Sequence, residues 1–171
     1  MLKTERLVLR PLTLADAPDL QRLAGAREVA LNTLRIPHPY PDGAAEAWIG
    51  KQGTTPEIVF GIEHQRQLIG AIGLVPEREH DRAELGYWIG VPFWGKGFAT
   101  EAGRAMLRFA FDEQQLHRLT AQVFSRNAAS ARVLQKIGMK CEGTLHHHFR
   151  KWGEFVDVDY YAIVRDQSRP A

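Results

Sequence analysis

The chain has 171 residues, 44% of them hydrophobic, enough for one well-buried domain and short for two. Its formal charge of +2 comes from 22 basic and 20 acidic residues spread along the sequence, so no polybasic arm points to nucleic acid. A single cysteine, Cys141, excludes an internal disulfide framework; with no apolar signal core at the start and no run of membrane-spanning length, a soluble cytoplasmic protein is expected, one domain over residues 1–171.

Arg6-Leu7-Val8-Leu9-Arg10 alternates charged and aliphatic residues as a strand does, and Pro11 ends it. Thr13-Leu14-Ala15-Asp16 has the form of a capping box with Asp in the Glu position, which predicts a helix running to about Gly25. Three prolines between Ile36 and Pro41 exclude regular structure, after which Asp42 is placed to cap a short helix carrying Ala45, Trp48 and Ile49. Residues 57–63, 68–75 and 82–91 read as three successive strands, an antiparallel meander. Ala102, Ala105, Met106, Phe109 and Ala110 recur at helical spacing and predict a long helix ending near Glu113. Residues 117–124 are β-rich, 127–137 are helical with Gly138 as the stop, and two last strands flank the turn Lys151-Trp152-Gly153-Glu154. The predicted order is β-α-α-β-β-β-α-β-α-β-β.

Between the third meander strand and the long helix lies Gly90-Val91-Pro92-Phe93-Trp94-Gly95-Lys96-Gly97-Phe98-Ala99-Thr100-Glu101-Ala102. This loop opens onto a helix N-terminus, where unpaired backbone N–H groups and the positive end of the dipole hold an anion. Gly90 through Lys96 satisfies G-x-x-x-x-G-K, but Gly97 stands where a Ser or Thr hydroxyl should hold Mg²⁺, and Pro92, Phe93 and Trp94 crowd the loop. A dinucleotide fingerprint fails at Thr100, where the third glycine belongs, and at the meander, which is not a βαβ unit. Gly95 and Gly97 would equally serve any tight strand-to-helix turn.

Trp94-Gly95-Lys96-Gly97-Phe98-Ala99 resembles the pyrophosphate loop of the GNAT acetyltransferases, Q/R-x-x-G-x-G/A, with Trp94 as a departure in the first position. Together with Glu84-Leu85-Gly86-Tyr87-Trp88-Ile89 it is similar to the subgroup that acetylates ribosomal-protein N-termini. Thr4 to Pro11, Asn127-Ala128-Ala129-Ser130 with Lys136-Ile137-Gly138-Met139, and Asp157 with Tyr161-Ala162 resemble further parts of that pattern, in order along nearly the whole chain. The resemblance implies the GNAT fold, an α+β, three-layer architecture with a mixed sheet of about seven strands, antiparallel in its first half, and about four helices. It also implies acetyl-CoA as co-substrate, no metal, a primary amine as acceptor, and a monomer or homodimer. Acetylation of a small amine, or a CoA-binding sensor without turnover, are the alternatives.

The resemblance carries specific roles. Backbone groups of Trp88, Ile89 and Val91 would pair with pantetheine as an added strand does. The amides of Gly95, Lys96, Gly97, Phe98, Ala99 and Thr100 would hold the pyrophosphate, with Lys96 either adding charge or simply solvated. Asn127 would position the pantetheine and Ser130 would hydrogen-bond the departing thiolate. Leu134 occupies the position where many relatives have a tyrosine acid, and Phe149 one where some have a catalytic glutamate. Glu84 is then the candidate base, with His146, His147 and His148 as substitutes, histidine being a residue type suited to proton transfer near neutral pH. Strand alternation would send His146 and His148 to one face and His147 to the other. An α-amine of pKa near ~8 is about one-tenth neutral at pH 7, against roughly one in 2,500 for a lysine, so an N-terminal acceptor asks less of a base. Tyr40, Trp48, Tyr87, Trp152 and His147 would line the acceptor side, with Trp48 better placed for core packing, at helical spacing with Ala45 and Ile49.

Overall fold

The computed structural model describes residues 1–165, so the last six residues of the expected domain lie outside it. Eight strands form one sheet: β1 (Leu2–Lys3), β2 (Val8–Arg10), β3 (Ile58–His64), β4 (Gln67–Glu77), β5 (Arg82–Ile89), β6 (Arg118–Phe124), β7 (Lys140–Lys151) and β8 (Glu154–Val164), in the spatial order β1-β2-β3-β4-β5-β6-β8-β7. Every neighbouring pair is antiparallel except β5 and β6, the pair joined by a helical crossover. The strand beyond the predicted seven is β1, which folds back on β2 through a turn closed by Thr4 N–H and the Leu7 carbonyl at 3.0 Å.

Five helices cover the sheet: α1 (Ala17–Ala24), α2 (Arg27–Leu31), α3 (Ala44–Gly50), α4 (Phe98–Arg108), continued by one π turn to Glu113, and α5 (Ala128–Lys136). The capping box forms: Asp16 accepts the Thr13 N–H at 2.8 Å and is itself held by Arg10 at 2.7 Å. Gly25 stops α1 as predicted, but α2 follows at once, a helix the pattern did not reveal. Asp42 does not cap α3; its carboxylate takes a bond from the Gln21 amide at 2.9 Å, and Gly43, at φ +75°, makes the entry.

Period-two alternation divides the core between two layers. On one face α4 and α5 bury Ala102, Met106 and Leu134 against Leu9, Ile72, Leu85 and Leu119. On the other, α1 and α3 bury Leu20, Ala24, Ala45 and Ile49 against Leu68. Each fully buried Leu or Ile contributes about 1.5–3 kcal/mol, which holds both layers to the sheet. Adjacent residues of β5 therefore face different layers: Tyr87 packs with α4 and α5, Trp88 with α1 and α3. Among the described residues no helix is long and apolar enough to cross a membrane.

The feature that positions the site is a divergence. β5 and β6 pair at Arg82↔Arg118, Ala83↔Leu119 and Glu84↔Thr120, and nowhere beyond, although β5 continues to Ile89 and β6 to Phe124. An extended molecule could add itself as a strand in that opening.

Candidate active site

The glycine loop borders the opening. β5 ends at Ile89, so Val91 lies not on the strand, as expected, but in a 3₁₀ turn over Val91–Phe93. Gly95 and Gly97 follow at φ +74° and +81°, left-handed conformations that strain any other residue. Nothing lies within 4 Å of a side chain built on Gly95, so this face of the loop is open. The first bond of α4 runs from Glu101 N–H to the Gly97 carbonyl at 3.0 Å, leaving the N–H groups of Phe98, Ala99 and Thr100 without helical acceptors at the positive end of α4. Such a backbone cradle suits a phosphate without a charged side chain. Lys96 points its ammonium over the Phe93 ring at 5.6 Å, and Phe98 is buried, so only its backbone is on offer. The Trp94 indole donates to the Ile89 carbonyl at 2.6 Å, which engages one backbone group of the strand expected to meet pantetheine.

A brace escaped the sequence reading. Arg6 donates to the Lys96 carbonyl at 3.0 Å and to Glu101 at 2.7 Å, while Thr4 donates to Glu101 at 2.6 Å. The strand β2 region thus locks the loop from outside; Arg6 had signalled only strand alternation.

Two hydrogen-bonded pairs stand on opposite faces of the divergence. On the α4–α5 face, the Tyr87 hydroxyl lies 2.7 Å from Ser130 Oγ. Ser130 N–H donates to Asn127 Oδ1 at 3.1 Å, the bond that caps α5 and fixes the serine. Burial pushes the Tyr87 phenol up to about 12, so its proton stays in place at neutral pH. Its hydroxyl thus meets Ser130, where the sequence had put Tyr87 on the acceptor side. Leu134 is fully buried in the core.

On the α1–α3 face is Glu84, the last residue of β5 paired with β6. Burial raises its carboxyl above the usual range, with the charge of Arg35 acting against that rise and Glu77 adding to it. Gln122 Nε2 donates to Glu84 Oε2 at 3.4 Å, while Gln122 Oε1 is buried without a hydrogen-bond partner.

Beyond Glu84, the proline-rich segment meets the β7–β8 turn. Lys151, only 7% exposed, donates to the Leu34 carbonyl at 3.3 Å and the Ile36 carbonyl at 3.2 Å. Arg126 donates to the Leu31 carbonyl at 3.0 Å, and Trp152, 45% exposed, lies 6.1 Å from the His38 ring. Tyr40 and Trp48 pack on the α1–α3 core, and burial raises the Tyr40 phenol.

The three histidines follow no simple alternation. Leu145↔Val158 is followed by Phe149↔Val156, so β7 carries a bulge in which His147 sits at φ +50°. His147 stacks on Phe155 at 6.0 Å, His146 bonds Asp157 at 3.0 Å, and His148 meets Phe149 edge-on at 4.5 Å. Among the described residues no group of three or more His, Cys, Asp or Glu side chains is placed to hold a metal.

The chain belongs to the GNAT acetyltransferases: the model described as "Acetyltransferase (GNAT) domain" matches residues 6–140. An uncharacterized N-acetyltransferase of Bacillus subtilis, YoaA, is 32% identical over 98% of each chain. The crystal structure of a GNAT acetyltransferase from Bacillus anthracis has a TM-score of 0.87 at 26% identity, covering 95% of this chain and 97% of that one. RimL, a ribosomal L7/L12 alpha-N-protein acetyltransferase solved with coenzyme A, has a TM-score of 0.86 over 94% of this chain and 95% of its own. At 18% identity that likeness is one of fold alone. The protein is therefore a GNAT N-acetyltransferase with the predicted α+β architecture.

Proposed function

We propose that this protein moves an acetyl group from acetyl-CoA directly to an α-amine, that of a protein N-terminus such as a ribosomal protein's. The observation that carries the reading is the divergence of β5 and β6, with one hydrogen-bonded pair on each of its faces. Backbone groups of β5 near Trp88 would hold the pantetheine, and the amides from Gly95 to Thr100 the pyrophosphate. The thioester would then lie between Glu84 and Ser130.

When the amine nitrogen bonds the thioester carbon and the carbon–sulfur bond breaks, the nitrogen sheds a proton and the sulfur gains negative charge. Glu84 receives the proton directly or through a water, a task suited to a carboxyl held above its usual range. Ser130 Oγ hydrogen-bonds the thiolate, and Tyr87, whose proton is firmly held, donates to Ser130 so that the serine hydrogen points at sulfur. The proton that finally reaches sulfur comes from solvent. An α-amine fits because about a tenth of it is already neutral at pH 7, which leaves a carboxylate base little to do.

Thiol release from acetyl-CoA, followed with peptides beginning in Ala or Ser and with small amines, tests the reading. Turnover of the peptides supports it. Turnover of small amines alone moves the acceptor assignment, and CoA binding without turnover of any acceptor favours a sensor.

A further inference from the structure

Three cations meet at residues 31–36, the segment that leads into the proline-rich stretch. Lys151 donates to the carbonyls of Leu34 and Ile36, which flank Arg35, and Arg126 donates to the carbonyl of Leu31. The charge of Arg35 is itself felt at Glu84. Among the described residues neither Lys151 nor Arg126 forms an ion pair, and Arg35 meets only Glu57 at 3.6 Å. Carbonyl oxygens satisfy donors but cancel no charge. An ammonium has three N–H groups and Lys151 gives two of them to the segment; its nitrogen also lies over the Trp152 ring at 5.0 Å, and one N–H is left without a hydrogen-bond acceptor among the described residues, on a side chain that is more than nine-tenths buried. Burial, seconded by Arg126, pushes the Lys151 amine down from its ordinary value, as an uncompensated buried cation requires.

A second observation is independent of the first. Gln122 Oε1 is a buried acceptor without a donor, and the same side chain touches Glu84. Buried polar atoms are almost always paired, so among the described residues Gln122 Oε1 is an acceptor ready for a donor brought by a bound molecule. A carboxylate and a carbonyl oxygen on neighbouring side chains are acceptors for the N–H groups of an amine.

We infer that the acceptor carries a negative charge of its own: its amine sits against Glu84 and Gln122 Oε1, and its anionic group against Lys151 and Arg126. Free α-amino acids and peptides with an acidic first residue share this chemistry. Polyamines lack it, and their extra positive charges would meet like charges at Arg35, Arg126 and Lys151. The inference rests on the acetyl-transfer reading only in taking the opening at Glu84 as the place where the amine binds.

Calorimetric titration of the CoA-saturated protein tests it without requiring turnover. The probes are L-leucine and its carboxamide, a peptide beginning with Glu and the same peptide beginning with Gln, and spermidine. At least one anionic probe should bind about tenfold more tightly than its neutral counterpart, and the pair that shows the difference tells a free amino acid from a protein terminus. Arg126→Gln, an exposed position, should shrink that difference to about twofold; Lys151→Met, checked for folding by its melting curve, should do the same. Neutral and anionic partners binding equally, tighter binding of spermidine, no binding by any probe, or a difference untouched by Arg126→Gln would each overturn the inference. Binding as expected but without acetyl transfer would instead count against the catalytic reading alone.

Discussion

On the proposed reading, the donor side and the acceptor side of the divergent strands are built from different materials. The donor side is a contiguous stretch, Trp94 to Thr100, in which two left-handed glycines and the first turn of α4 present backbone N–H groups. The acceptor side is assembled from side chains far apart in sequence: Glu84, Gln122, Arg126 and Lys151 with residues 31–36. A phosphate can be held by peptide groups that every residue possesses, so its site is a matter of local conformation. An acceptor is discriminated by side-chain charge and shape, so its site is a matter of tertiary placement. The two sides should therefore fail separately when altered.

The largest effect is expected on the donor side. Gly97→Val puts a β-branched residue at φ +81°, at a strain of roughly 1–2 kcal/mol, and its Cβ would meet Arg6 Nη2 at 3.5 Å, beside the brace that holds Lys96. If the cradle is backbone, the CoA dissociation constant measured by calorimetry should rise at least about tenfold. Arg126→Gln in parallel should leave CoA affinity where it was. A Gly97→Val protein that folds and binds CoA normally would break the distinction between the sides.

Next in size is Glu84→Gln. Saturated turnover should drop about tenfold to a hundredfold, at and below the lower end of the general-base range, because an α-amine is partly neutral beforehand. The acid limb of the wild-type pH–rate profile should lie above the ordinary carboxylate range and vanish in the variant, because burial raises the Glu84 carboxyl. Stability should move the opposite way. A carboxyl whose pKa is higher folded than unfolded destabilises the fold wherever it is ionised, so Glu84→Gln should melt higher at pH 7. The gain should fade as pH falls through the raised value and be gone below the unfolded one. A variant that is both slower and less stable would mean that Glu84 serves packing and not proton transfer.

How much of this could be read beforehand follows the same division. Thr13 and Asp16 announced the first helix and Gly138 the end of α5, because each depends on neighbours within four residues. The glycine loop was legible for the same reason. Asp42 looked like a cap until Gln21, distant in sequence, took its carboxylate. His146 to His148 looked like alternating strand residues until a bulge in β7, which no residue type there demands, broke the period. Tyr87 was one of several aromatics near the opening, and only the crossing of α5 over β5 puts its hydroxyl on Ser130. Lys151 carried no signal at all, since a lysine before a turn is ordinarily solvated.

The smallest effect sharpens the comparison within the donor side itself. The hydroxyls of Tyr87 and Ser130 share one short hydrogen bond, with the Ser130 carbonyl a longer 3.5 Å from the phenol, and losing one such bond normally costs about 0.5–1.5 kcal/mol, or roughly two- to tenfold in rate if it acts in the transition state. Tyr87→Phe and Ser130→Ala should each slow the chemical step by that factor while sparing CoA affinity and the preference among acceptors. They should differ in stability: Ser130→Ala leaves a largely buried phenol only the long contact to the carbonyl of residue 130, whereas Tyr87→Phe removes the buried group with its partner left free to turn, so the serine variant should melt lower. Because both would act on sulfur through the same hydrogen, the double variant should be no slower than the slower single one. Multiplied rate losses would mean that tyrosine and serine reach the reacting atoms separately, and an unchanged rate in Ser130→Ala would leave the thiolate to solvent alone.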